Sequence, residues 1–269
     1  MKDIKIGFIG FGKMGQAIAG GMIRSNLIPA DNIKISARSE KTLQKAETVF
    51  GIKGTLENKE VARFADLLFL GIQPGGHKNV LEEVKRELKD DVTIITMAAG
   101  IVIKTIEAAV GRKVKVVRTM PNTPSMVREG MTAMSVNDHV SERDLSIVRE
   151  ILQSLGETVI LEEELMDAVP AVSGSSPAFV YMFIEALGDG AVRDGIPRKE
   201  AYKMAAQAVL GAAKMVLESG RHPGELKDDV CTPGGSTIQA VAALEKNGFR
   251  ASVLEAMEAC TKKSKSIGR

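Results

Sequence analysis

Ile4-Lys5-Ile6-Gly7-Phe8-Ile9-Gly10-Phe11-Gly12-Lys13-Met14-Gly15, running on into Gln16-Ala17-Ile18-Ala19-Gly20-Gly21-Met22-Ile23-Arg24, decides how this chain folds. The first six residues read as a short buried strand, and the run after Gly15 has apolar residues at helical period. A G-x-G-x-x-G spacing alone says little, but here it lies between a strand and a helix, the context a dinucleotide-binding turn requires. Gly10 permits the tight turn, Gly12 lets a pyrophosphate approach the backbone, and Gly15 lets the helix pack on the strand. Ile9, Phe11, Lys13 and Met14 share that turn and are candidate cofactor contacts beside the glycines. The bland alternative is a glycine-rich turn in some other α/β fold.

The next strand, Ile33 to Ser36, ends at Ala37-Arg38-Ser39, with no acid before Glu40. An acid at this place binds the ribose 2′-hydroxyl of NAD, whereas a 2′-phosphate needs basic and hydroxyl partners. Arg38 and Ser39 therefore favour NADPH, with NADH the less favoured cofactor. Alternation continues with a helix from Lys41 to Phe50, a buried strand from Asp66 to Ile72 and a helix from Val80 to Leu88. A strand from Val92 to Met97, a helix from Ile103 to Val110 and a strand from Val114 to Arg118 follow. Strands Thr132 to Val136 and Thr158 to Leu161, flanking a helix from Ser141 to Leu155, complete the pattern. Such alternation predicts a Rossmann-type parallel sheet with right-handed crossovers. Ligands bind at the carboxyl ends of its strands, which puts Gln73-Pro74, Ala98-Ala99-Gly100 and Asn122-Thr123 on the cofactor side. The small Ala98 and Ala99 either admit a nicotinamide ring or form a tight strand exit.

From Leu165 onward the strand signal stops and nearly every segment has helical period. The expected division is an NADP-binding domain over 1–164 and an all-α domain over 165–269, for substrate binding and dimerisation. Its helices, running from about Ala178 to Asp194, Lys199 to Leu217 and Phe249 to Ile267, are apolar on more than one face. So much apolar surface on so little chain points to a homodimer through this half.

A second loop-to-helix junction lies there, Val230-Cys231-Thr232-Pro233-Gly234-Gly235-Ser236-Thr237, leading into Ile238 to Glu245. Pro233 and the glycines stop a helix, and Ser236-Thr237 sits where N-caps sit. Unpaired backbone N–H groups, a partial positive charge and hydroxyls suit a small carboxylate or phosphate. An ordinary helix start is the competing reading.

The totals exclude several classes. The 269 residues are 44% hydrophobic and 26% charged, the balance of a globular protein, and a net charge of +2 with interspersed basic residues gives no footprint for nucleic acid. Apolar runs break well before the roughly 20 residues that span a bilayer, and the start of the chain lacks a signal-peptide pattern. A cytoplasmic location without membrane attachment is the expectation. Two cysteines and three scattered histidines give neither a disulfide framework nor metal-ligand spacing.

With both junctions read, the chain resembles the pyrroline-5-carboxylate reductases, the last enzymes of proline biosynthesis. The resemblance is carried by Glu225 to Ala240 with Leu244-Glu245 behind it, by Gly10 to Gly15, Ala98-Ala99-Gly100 and Met120 to Pro124. Ser173-Gly174-Ser175, Gly211 to Met215 and Gly248-Phe249-Arg250 add to it. It implies that NADPH reduces the C=N bond of 1-pyrroline-5-carboxylate to give L-proline, in intertwined dimers that often assemble further. By position, it also implies cofactor contacts at Gly10 to Met14, Ser39, Asn58, Ile72, Gln73 and Ala99. Substrate contacts fall on Glu163, Asp229, Ser236 and Thr237, with the Gly234-Gly235 loop facing a partner subunit's cofactor. The family commonly has Gly and Tyr where this chain has Ser176 and Phe179, Asn at Asp229 and Lys at Gln73. A carboxylate at Asp229 should repel an anionic substrate unless it faces the imine nitrogen.

No His or Lys is placed to serve as general acid. The mechanism expected is therefore hydride addition to an iminium whose ring nitrogen hydrogen-bonds Thr237, while loop N–H groups hold the carboxylate. The rivals are a reductase of another cyclic imine or of a β-hydroxy acid and, in a different class, a non-catalytic NADPH-binding regulator.

Overall fold

A computed structural model describes residues 1–267 and divides them into two compact units. Unit one opens with β1 (Ile6–Ile9), α1 (Lys13–Arg24), β2 (Ile33–Ser36), α2 (Glu40–Phe50), β3 (Gly54–Thr55), α3 (Asn58–Phe64) and β4 (Leu67–Leu70). It continues with α4 (His77–Val84), β5 (Thr93–Thr96), α5 (Ile103–Val110), β6 (Lys115–Met120), β7 (Gly130–Val136), α6 (Glu142–Gln153) and β8 (Gly156–Ile160). The eight strands form one sheet in the order β3-β2-β1-β4-β5-β6-β7-β8. The chain starts in the middle and winds outward both ways, so the strand order reverses between β1 and β4. There the carboxyl ends open a crevice.

One pairing departs from the all-parallel expectation. β7 runs antiparallel to β6, with Val117 opposite Val136, whereas β8 is again parallel to β7. A parallel return needs a crossover of a dozen or more residues, usually a helix. Between Met120 and Gly130 the chain holds only a short 3₁₀ turn, Thr123–Val127, so it doubles back. β3 and α3 are additions to the pattern expected from sequence. α3 is only seven residues long and buries just Val61 and Ala62, too little to register as a period.

The central strands are buried on both faces. Ile6 and Phe8 join Ile18, Met22, Ile35 and Phe69 on one side, while Ile9, Leu68, Leu70, Leu81, Ile94 and Ile106 pack on the other. This is the two-faced burial of a parallel strand, with side chains alternating between helical layers. Phe8 stacks on Phe69 at 4.8 Å between ring centroids, and burying such a ring stabilises the fold by about 2–3 kcal/mol. α6 begins with a reciprocal cap in which Asp144 N–H donates to Ser141 Oγ and Ser141 N–H donates to the Asp144 carboxylate.

The first unit extends through Ser175 and includes the last turns of the C-terminal helix from Cys260, whose thiol donates to Ser175 Oγ at 3.3 Å. Asn122 and Arg118 fasten the segment ahead of Ser175: Asn122 Nδ2 donates to the Ser173 carbonyl and Arg118 to Asp167.

Unit two, residues 176–259, is helical: α7 (Ser176–Arg193), α8 (Arg198–Ser219), α9 (Pro223–Val230), α10 (Ser236–Lys246) and the first part of α11 (Phe249–Ile267). Close packing of α7 on α8 depends on Gly188, where a Cβ would come within 2.5 Å of the Tyr202 ring. Among its described residues many large apolar side chains stay exposed, Met182 at 69% and Leu217 at 76% among them. An apolar groove of about 460 Å³ runs between α7, α10 and α11, lined by Phe179, Met182, Phe183, Leu244, Phe249 and Val253. α9 leaves no sequence signal, because Pro-Gly-Glu-Leu-Lys-Asp-Asp-Val has no apolar stripe and buries no residue.

Candidate active site

At the carboxyl end of β1 the chain turns through Gly10, with φ at +84°, and a Cβ there would lie 2.6 Å from the Gly71 carbonyl oxygen. Only glycine fits both constraints. Gly12 differs, because its φ is −76° and nothing lies within 4 Å of where its Cβ would be. Space in front of Gly12 is what a ligand's close approach requires. A Cβ on Gly15 would meet the Phe11 ring at 3.3 Å, so the third glycine serves packing.

α1 has Gly12 as N-cap and no side-chain cap, and the first backbone bond runs from Gln16 N–H to the Gly12 carbonyl. The N–H groups of Lys13, Met14 and Gly15 stand ahead of it at the positive end of the helix dipole. This is an anion site of the kind a pyrophosphate takes. The residues present therefore fit a dinucleotide.

Across the β2 end, Ser39 is the N-cap of α2, yet its hydroxyl makes no cap bond and lies 3.1 Å from Thr42 Oγ1. Arg38 is exposed and has no ion-pair partner among the described residues. Asn58 accepts from Ser36 Oγ at 2.8 Å and donates to Glu83 at 3.0 Å, which fixes it beside the β2 terminus. Ile72, Gln73 and Pro74 follow β4, and Ala98 and Ala99 follow β5, so the neighbouring strand ends bring these turns together. Asn122 is 8% exposed and turns its side chain inward, accepting from Met131 N–H and donating to Ser173.

Two features here had no sequence signal. His77, 1% exposed, places Nδ1 3.1 Å from the Gln73 carbonyl and Nε2 3.0 Å from Thr96 Oγ1, and burial pushes it below its usual pKa. Arg118, 4% exposed, donates to Glu163 at 3.3 Å and to Asp167 at 2.7 Å. Glu163 Oε1 also accepts from Ile103 N–H at 2.7 Å, at the start of α5. Glu163 thus keeps its second oxygen for anything else it does. Replacing Arg118 by methionine leaves two carboxylates without their shared cation. Because both remain about 30% exposed, the expected loss is about 2–3 kcal/mol, read as a lower urea midpoint at constant slope.

In unit two, the expected Ser-Thr cap is replaced by a glycine cap. Gly234 has φ at +72°, the Gly235 N–H donates to the Thr232 carbonyl, and Gly235 itself is the N-cap of α10. Ser236 and Thr237 become the first two helical residues, and neither hydroxyl is used as a cap. The N–H groups of Ser236, Thr237 and Ile238 lie at the open helix end, with two hydroxyls among them. Asp229, in the last turn of α9, also finds a partner: Arg221 donates to it at 2.7 Å and holds its carboxyl below the usual range. The charge that sequence alone left unplaced is therefore offset within the same unit.

Comparison with known proteins adds to this geometry. Residues 163–267 match the family model described as pyrroline-5-carboxylate reductase dimerisation, and residues 5–100 match one described as NADP oxidoreductase, coenzyme F420-dependent. The chain is 46% identical to the pyrroline-5-carboxylate reductase of Escherichia coli, covering 98% of each chain. To that of Methanosarcina acetivorans it is 41% identical over the whole of both. Among solved structures, the pyrroline carboxylate reductase of Plasmodium falciparum with NADP bound superimposes with a TM-score of 0.90 at 34% identity, covering both chains fully.

Proposed function

Because this chain belongs to the pyrroline-5-carboxylate reductase family, we infer its chemistry from that of an NAD(P)H-dependent oxidoreductase acting on a C=N bond. It reduces 1-pyrroline-5-carboxylate to L-proline with hydride from NADPH, the last step of proline biosynthesis. NADPH, when bound, supplies the hydride; what the chain's own residues do is bind, orient and hold a proton. The observation that carries the reading of the substrate site is the uncapped start of α10, where Ser236 and Thr237 keep their hydroxyls free.

In this reading the N–H groups of Ser236, Thr237 and Ile238 take the substrate carboxylate. The substrate reacts as its iminium, so the proton is already on nitrogen and hydride addition to carbon yields the amine directly. Thr237 Oγ1 accepts a hydrogen bond from that N–H and fixes the face presented. Arg221 offsets Asp229, so the carboxylate at the loop's edge does not repel the substrate. Glu163, Gly234 and Gly235 complete the proposed substrate contacts.

The cofactor side is proposed as Ile9 to Gly15, Arg38, Ser39, Asn58, Ile72 to Pro74, Ala98, Ala99 and the backbone at Asn122. Residues 1–164 serve as the NADP-binding domain and 165–269 as the substrate and dimerisation domain. The exposed apolar surface of α7 and α8 and the groove beside α10 support a homodimer through these helices. Among the described residues no helix is long and apolar enough to cross a membrane. We place the enzyme in the cytoplasm.

The decisive assay follows the loss of NADPH absorbance with 1-pyrroline-5-carboxylate, run in parallel with NADH. Rapid turnover supports the reading, and cofactor binding without turnover of the imine would replace it with a regulator. In the same assay Arg38→Glu is expected to lower kcat/KM with NADPH by about tenfold or more and to leave NADH nearly unchanged. Equal losses with both cofactors would remove Arg38 from the 2′-phosphate site.

A further inference from the structure

We propose that His77 is a positioning residue for the cofactor, tying the turn after β4 to the carboxyl end of β5 and so setting the wall between them. The inference rests on the reading of Gln73 and Ala98-Ala99 as cofactor contacts.

Protonation follows from the partners. A carbonyl can only accept, so Nδ1 carries the proton and donates to the Gln73 carbonyl at 3.1 Å. In a neutral ring Nε2 is then an acceptor, and the Thr96 hydroxyl must donate to it at 3.0 Å. Thr96 Oγ1 in turn receives the Ala98 N–H over a long 3.5 Å. The run Ala98 N–H, Thr96 hydroxyl, His77 ring, Gln73 carbonyl has one direction, and the ring's tautomer is fixed by it. Both ends are anchored further. The Gln73 carbonyl also accepts from Gly76 N–H at 2.9 Å, and the Thr96 carbonyl accepts from Thr119 Oγ1 at 2.9 Å.

A side chain this buried could be mere packing. What sets it apart is where its two nitrogens end, one on Gln73 in the turn after β4 and the other on Thr96, the last residue of the adjacent parallel strand β5, two residues before Ala98. A phenyl ring of similar shape would fill the space and make neither bond. The turn after β4 would then lose its tie to the end of β5, while the strands keep their own ladder.

The test compares steady-state kinetics and NADPH binding by fluorescence in His77→Phe, Thr96→Val and Thr96→Ser. His77→Phe and Thr96→Val should each raise the NADPH KM and Kd about tenfold, leaving kcat and the substrate KM within about twofold. Thr96→Ser, which keeps the hydroxyl, should stay within about twofold of wild type. The double variant should be no worse than either single one, because each breaks the same run. If His77→Phe does not fold, the split between Thr96→Val and Thr96→Ser decides the matter alone. NADPH binding unchanged in Thr96→Val, or a parallel shift of all four constants, overturns the proposal. Ala99→Leu, which fills the proposed nicotinamide wall, separates the two levels. If it leaves NADPH binding intact, the cofactor reading falls and this inference with it; if it weakens binding while His77→Phe and Thr96→Val do not, the inference falls alone.

Discussion

Thr237→Ala is expected to lower kcat by about a hundredfold while changing NADPH affinity by less than about twofold. The separation is clean because the hydroxyl has no structural duty. α10 is capped by the Gly235 backbone and the glycine turn, and the Thr237 side chain makes no cap bond. Losing it should leave the helix, and the unfolding midpoint, almost where they were. Thr237→Ser should recover most of the rate, since serine keeps the acceptor for the iminium N–H. Stopped-flow hydride transfer with a single turnover of NADPH reads the chemical step directly. Equal losses in rate and cofactor affinity would show that Thr237 acts through the fold, and the role assigned to it would be withdrawn.

The second large effect is a contrast between two glycines of one turn. Gly10→Ala forces a side chain into a left-handed backbone and against the Gly71 carbonyl 2.6 Å away, where the obstacle is backbone and nothing flexible can yield. Conformational strain of about 1–2 kcal/mol and overpacking of about 1–3 kcal/mol combine into a protein that unfolds early. Gly12→Ala, by contrast, has an ordinary φ and open space in front of it, so its melting temperature should match wild type. Its cost falls on the ligand: a methyl group in the path of the pyrophosphate should weaken NADPH binding by about tenfold or more. Thermal unfolding with and without NADPH reads both effects. A stable Gly10→Ala would contradict the geometry of the turn, and a Gly12→Ala with normal NADPH affinity would move the cofactor elsewhere.

Much of this site is legible in the amino-acid sequence because its signals are local. The cofactor turn is a spacing of glycines between two periodicities, and the boundaries of α5 and β2 coincide with the runs Ile103 to Val110 and Ile33 to Ser36. The Pro233 to Thr237 loop shows itself by composition, though composition assigns the cap to Ser236 and Thr237. Which residue caps depends on backbone angles at Gly234 and Gly235, and the consequence is that the two hydroxyls stay free.

What the chain determined by itself was thus the kind of the longer, periodic elements, the chemistry of the two turns and, through its resemblance, the reaction. Only the tertiary structure decided that β7 turns antiparallel, that Arg221 answers Asp229, that Arg118 is buried between Glu163 and Asp167, and that His77 joins two strand ends. Arg118 and Asp167 are separated by 49 positions, and His77 and Thr96 by 19. Periodicity reports only what neighbours along one element share. A lone buried arginine or histidine carries no pattern until the sheet brings its partners within hydrogen-bonding distance, and there the cost of leaving it unpaired fixes the contact.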